Sequence, residues 1–149
     1  MLQVPNKISV LIVEDSQDDA ILIMHRLKQA GYNPTYEQVD DSTSMRTALS
    51  KRVWDIIIAD HNMPRFSCFE ALSIVKEYGL DIPFIIVSGS IGEDIAVDAM
   101  KAGAQDYVMK SNLASLIPAI KRELREADAR TARRKAEETI RFLAFHDSL

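Results

Sequence analysis

Asp55-Ile56-Ile57-Ile58-Ala59-Asp60 sets four consecutive apolar residues, three of them β-branched, between two carboxylates. A short apolar run without alternation reads as a strand buried on both faces, because alternation disappears only where neither face meets water. Two runs of the same kind flank it in the chain: Val10-Leu11-Ile12-Val13, which ends in Glu14-Asp15, and Phe84-Ile85-Ile86-Val87, which ends in Ser88. With two weaker candidates, the strands are expected at 8–13, 35–39, 55–59, 84–88 and 106–109. Longer amphipathic stretches at 17–30, 42–52, 67–78 and 93–102, and one beginning after Asn112, read as helices. Strand and helix in strict alternation build an α/β fold, a parallel sheet covered by helices on both faces.

Local punctuation agrees with this reading. Gly31, Gly79 and Gly103 stand where helices should stop in a left-handed residue, and Ser42 is expected to cap the second helix. Ala20, Ile23, Met24, Leu27 and Ala30 recur at spacings of three and four, which lays one stripe of the first helix on the sheet.

The 149 residues are 47% hydrophobic and 27% charged, the balance of one packed domain. The only cysteine, Cys68, excludes an internal disulfide and fits a cytoplasmic location. No apolar run approaches the roughly 20 residues of a membrane span, and the N-terminus lacks the pattern of a signal peptide. Residues 1–120 hold 10 basic against 16 acidic side chains, whereas 121–149 hold 8 against 6. The acidic part argues against nucleic acid as a partner. The basic residues of the tail are interleaved with Glu137 and Glu138, as on a solvated helix with i,i+4 pairs.

From Leu113 to about His146 there is no glycine, and the only proline is Pro118, near the start. Thirty-odd helical residues reach roughly 50 Å, more than a domain of this size is wide, so part of the helix must project. Leu116, Ile117, Ile120 and Leu124 can pack on the sheet, whereas 125–139 offers only alanine as an apolar residue. That stretch reads as a connector or weak coiled coil, with Ile140, Phe142, Leu143 and Phe145 exposed unless something covers them.

In an open parallel sheet ligands bind beyond the carboxyl ends of the strands. Those ends carry Glu14 and Asp15 after the first strand, Asp60 after the third, Ser88 on the fourth and Lys110 after the fifth. Three carboxylates against one lysine leave a net charge near −2, and unit charges 4 Å apart repel by roughly 4 kcal/mol at an effective dielectric of 20. A divalent cation relieves that repulsion, and oxygen-only ligands select a hard ion such as Mg²⁺. Asp60 is then placed as a nucleophile toward phosphorus, with Lys110 on the equatorial oxygens.

The segments Val10-Leu11-Ile12-Val13-Glu14-Asp15, 55–64, Ile85-Ile86-Val87-Ser88-Gly89 and Gly103-Ala104-Gln105-Asp106-Tyr107-Val108-Met109-Lys110 together resemble the receiver domains of two-component response regulators, over residues 8 to about 125. The resemblance implies a flavodoxin-like sheet of order 2-1-3-4-5 and a non-enzymatic phosphoacceptor. Asp60 would accept a phosphoryl group from a sensor histidine kinase or phosphotransfer protein. Asp15, Asp60 and the backbone carbonyl of Asn62 would bind Mg²⁺, with Glu14 acting through water. Ser88 would hydrogen-bond the phosphoryl group, and Tyr107 would be the aromatic that turns inward with it. The switch would act on the face formed by the fourth helix, fifth strand and fifth helix, where a homodimer could form.

Three positions depart from the family pattern. Cys68 replaces a glycine, so either a left-handed residue there is strained by about 1–2 kcal/mol or the loop is rebuilt. Ser111 replaces a proline whose preceding bond is commonly cis, and a cis bond to serine costs about 2.5–4 kcal/mol. Gly89 stands where alanine is frequent and should leave the site open.

Residues 136–149 resemble the lead-in to GGDEF-type diguanylate cyclase domains, a helix running into His146-Asp147-Ser148-Leu149. A receiver at 1–125, a linker helix at 126–149 and a cyclic-di-GMP output domain are therefore expected. Plainer readings remain beside these. Glu14 or Asp15 could cap the following helix, Lys110 could be a surface charge, Tyr107 could pack on the last helix, and His61 could merely edge the pocket. An aspartyl-phosphate phosphohydrolase or a stand-alone docking or relay receiver are the competing functions.

Overall fold

The computed structural model describes residues 6–61, 63–89 and 93–147, with side chains throughout except at 93 and 144–147. Its strands are β1 (Asn6–Val13), β2 (Tyr32–Val39), β3 (Ile56–Ala59), β4 (Phe84–Ser88) and β5 (Asp106–Met109). The helices are α1 (Gln17–Gln29), α2 (Ser42–Lys51), α3 (Cys68–Glu77), α4 (Glu93–Ala102) and α5 (Leu116–Asp147), and a 3₁₀ segment, Lys110–Ser115, joins β5 to α5. All strand pairs are parallel, in the order β2-β1-β3-β4-β5. This is the parallel α/β sheet that the alternating pattern implies, in the flavodoxin-like order that the family resemblance implies.

The period-two geometry of a strand divides the apolar runs between two cores. Val10, Ile12, Ile56, Ile58, Ile85 and Val87 point to one face and pack with Ala20, Ile23 and Leu27 of α1 and Leu116 and Ile120 of α5. Leu11, Val13, Ile57, Ala59, Phe84 and Ile86 point to the other and pack with α2, α3 and Ala99 of α4. Each fully buried isoleucine of β3 or β4 contributes about 1.5–3 kcal/mol relative to exposure. Burial on both faces thus fixes the three central strands, and with them the edge where they end.

Caps and turns follow from residue chemistry. Ser16 and Ser67 accept hydrogen bonds from the amides of Asp19 and Glu70, at 3.3 and 3.1 Å, and cap α1 and α3. Gly31, Gly79 and Gly103 all have positive φ, as expected where helices stop. The expected cap at Ser42 is corrected to Asp41, whose carboxylate accepts from the Ser44 amide at 2.7 Å, so Ser42 is already the first helical residue. β2 begins three residues earlier than the pattern suggested, with Pro34 opposite Ile8. Proline is tolerated there because β2 is an edge strand.

Helix α5 is 32 residues long, about 48 Å. Pro118 lies in its first turn, and Leu116, Ala119 and Ile120 are buried against the sheet. The helix crosses residue 125 without a break. Arg130 and Arg134 still reach the loop before β4, where the Asp81 carboxylate accepts from both at 3.1 and 3.4 Å. From residue 131 to 143 every side chain is exposed, including Ile140, Phe142 and Leu143.

Two contrasting substitutions test the core assignment. Ile57→Ala should lower unfolding free energy in urea by about 2–5 kcal/mol. Val53→Ala, at a residue 87% exposed, should stay within about 0.5 kcal/mol of wild type.

Candidate functional site

The backbone places the acids before any side chain acts. Just past β1, the Glu14 amide donates to the Val39 carbonyl at 2.9 Å, and just past β3 the Asp60 amide donates to the Val13 carbonyl at 2.8 Å. The sheet ladder therefore sets Glu14 and Asp60 side by side. The Asp15 amide donates to Glu14 Oε2 at 3.1 Å, and Gln38 Nε2 donates to the Glu14 carbonyl at 2.8 Å. Glu14 and Asp60 are 2% and 6% exposed, while Asp15 faces solvent. The capping alternative for Glu14 and Asp15 falls away, since Ser16 caps α1.

Lys110 reaches this edge from the far side. It opens the segment after β5, and β5 is held in register by Ser88 opposite Met109. Its ammonium lies 2.7 Å from Asp19 Oδ2, 3.0 Å from Glu14 Oε1 and 3.4 Å from Asp60 Oδ2. Burial works against its charge, but the bonds to Asp19 and Glu14 outweigh this and raise its pKa above the ordinary lysine range. Lys110 is no loose surface charge. Asp19 escaped the sequence reading because it stands in the first turn of α1, where acids ordinarily complement the helix dipole. The available signal was its place in the first turn of the helix that directly follows Glu14 and Asp15.

Glu14, Asp15 and Asp60 can each present a carboxylate oxygen with all three within 4.8 Å of one another. Opposite corners of a Mg²⁺ octahedron are about 4.2 Å apart, so small side-chain adjustments suffice for a hard cation. A cleft of about 300 Å³, lined by Asp15, Asp40, Asp41, Met63, Pro64 and Arg65, opens beside them.

Other expected residues are accounted for individually. Ser88 is fully buried at the end of β4. Gly89 follows it, and a Cβ there would lie 3.8 Å from Lys110 Cδ, an ordinary contact, so the glycine borders the lysine stem and leaves no wide gap. Tyr107 is half-buried against the α2–α3–α4 side, its hydroxyl 2.8 Å from Met109 Sδ. Asn62 lies outside the described residues. Of the two alternatives for Cys68 the rebuilt backbone is found: it is the first residue of α3, and no described residue other than glycine has positive φ. It is buried, its thiol is pushed up to about 11 by desolvation, and Sγ lies 3.3 Å from His61 Nδ1. The Lys110–Ser111 bond is trans, so the serine pays no cis cost, and the chain turns through a kink at Asn112.

Burial first, and then the hydrogen bond shared with Asp60, pushes the Glu14 carboxyl up from 4.5 to about 8. Below 4.5 the folded and unfolded chains both hold this proton, and between 4.5 and 8 only the folded chain does. Raising pH through that window therefore removes stability. Without divalent metal, the melting temperature should fall from pH 5 to pH 8, and Glu14→Gln should flatten the slope. An equal slope in the variant would contradict the assignment.

The match of this chain to known proteins covers the same region. The family model described as the response regulator receiver domain matches residues 10–121. The transcriptional regulatory protein ZraR of Salmonella typhimurium is 29% identical over 106 residues, 70% of this chain and 23% of its own length. The transcriptional regulatory protein PrrA of Mycobacterium tuberculosis is 30% identical over 117 residues, 78% of this chain and 49% of its own. The chain thus spans 23% to 49% of the length of these relatives. A solved response regulator receiver domain protein from Clostridium thermocellum superposes with a TM-score of 0.71 at 25% identity, over 82% of this chain and 98% of the other. The sheet order, the acidic carboxyl edge and these matches make the chain a member of the response regulator receiver domain family.

Proposed function

We propose that this receiver is a phosphoacceptor in a two-component phosphorelay, with Asp60 as the residue phosphorylated by a sensor histidine kinase or phosphotransfer protein. The carrying observation is that the ends of β1, β3 and β5 bring Glu14, Asp15, Asp60 and Lys110 to one edge. An Asp60 oxygen attacks phosphorus in line, the phosphorus–nitrogen bond of the phosphohistidine breaks, and its electron pair stays on the imidazole. Lys110 supplies positive charge to the phosphoryl oxygens. Glu14, Asp15 and Asp60, with the backbone carbonyl of Asn62, are the residues proposed to hold Mg²⁺. The ion, when bound, offsets charge on the phosphoryl group.

Ser88 is proposed to bond the phosphoryl group, and Tyr107 to follow it inward. Such a step would alter the surface of α4, β5 and α5. Its output would pass along α5 from the receiver at 1–125 into the connector at 126–149. Residues 136–149 support a GGDEF-type cyclic-di-GMP output. The matched relatives are instead named transcriptional regulatory proteins, which favours a DNA-binding output as the second reading. Those matches cover the receiver, so the two readings rest on different parts of the chain. A small-substrate phosphohydrolase is disfavoured, because no Asp-x-Asp pair occurs at Asp60. Among the described residues no helix is long and apolar enough to cross a membrane.

Acetyl phosphate with Mg²⁺ should place one acid-labile phosphoryl group on the chain, and Asp60→Asn should abolish it by intact mass. Labelling that survives the substitution would overturn the assignment. The native protein carrying this segment should form cyclic-di-GMP from GTP when phosphorylated; specific operator binding without cyclase activity would favour the second output instead.

A further inference from the structure

Lys110 has three N–H donors, and three carboxylates lie around them. The shortest contact, 2.7 Å, is to Asp19 on α1, and the longest, 3.4 Å, is to Asp60. Resting Lys110 is thus drawn toward α1. An incoming phosphoryl group on Asp60 draws the same ammonium toward Asp60 and away from the other two contacts. Glu14 is 2% exposed and cannot exchange its contact for water, whereas Asp19 is 39% exposed and can.

The surroundings permit that exchange. Gly89 lies beside the stem of Lys110 near Cδ, so no side chain at 89 crowds the lysine. A cavity of about 40 Å³ lies between Asp19, Leu22, Ile23, Val87, Lys110 and Leu113. The hydrogen bond from Lys110 also holds the Asp19 carboxyl below its usual range, so it is charged at neutral pH.

We infer that Asp19 is a positioning residue that competes with the phosphoryl group for Lys110, and so slows phosphorylation and shortens the life of the phosphorylated state. This rests on the reading of Asp60 as the phosphoacceptor. Asp19 touches neither donor nor phosphorus and acts only through where it holds the ammonium. Its neighbour Asp18 carries the same charge on the same turn, and no contact with Lys110 is recorded for it.

The test uses the chain with acetyl phosphate and Mg²⁺, following label on Asp60 and its decay. Asp19→Asn should raise the labelling rate and lengthen the half-life about two- to fivefold, the weight of a half-exposed ion pair. The half-saturating Mg²⁺ concentration should be unchanged. Asp19→Glu should restore wild-type rates, and Asp18→Asn should leave them unaltered. A rate in Asp19→Asn equal to or below wild type would overturn the inference while leaving the phosphoacceptor reading intact. An equal gain in Asp18→Asn would likewise overturn it, by reducing the effect to general charge. Wild-type chain that takes no label would remove the phosphoacceptor reading and this inference with it.

Discussion

The ammonium of Lys110 meets Glu14, Asp19 and Asp60 together at the carboxyl edge of the sheet. Two of those acids are buried, and adjacent buried carboxylates repel strongly unless a cation or a proton intervenes. The structure uses both means. Lys110 bonds across the cluster, and Glu14 retains its proton well into the neutral range. An edge balanced in this way fits the proposed roles, since its acids suit a hard cation and its ammonium suits a phosphoryl group.

What holds these groups within reach is the sheet. Parallel pairing aligns the ends of β1 and β3, and amides just past the strands lock Glu14 and Asp60 to neighbouring carbonyls. The two apolar cores leave the central strands little freedom to slip, since a shift of one residue would exchange every side chain between two close-packed faces. Packing energy is thereby converted into placement of charge. Helix α5 is tied to the loop before β4 as well, with Asp81 held by Arg130 and Arg134.

Much of this was legible in the chain itself. Unalternating runs such as 55–60 named the central strands, and the acids that close them named the site, because burial on both faces leaves a one-dimensional signature. Contacts between distant segments were not legible in the same way. Asp19 looked like a helix-dipole acid, Asp41 displaced Ser42 as a cap by one residue, and the extra turn of β2 hid behind Pro34. Cys68 and Ser111 were measured against backbone shapes usual elsewhere, but here the chain enters α3 directly at Cys68 and passes Lys110 with a trans bond. The expectation of an output domain rested on residues 136–149; from 131 to 143 the side chains are exposed, so the fold places no constraint on that expectation.

The central claim is that Lys110 and the buried acids form one energetic unit. A double-mutant cycle of Glu14→Gln and Lys110→Met measures this directly, by urea unfolding without divalent metal near pH 9, above the Glu14 value of about 8. The account predicts a coupling above about 1 kcal/mol, with Lys110→Met far less harmful once Glu14 is neutral. Losses that simply add, within about 0.5 kcal/mol, would contradict it.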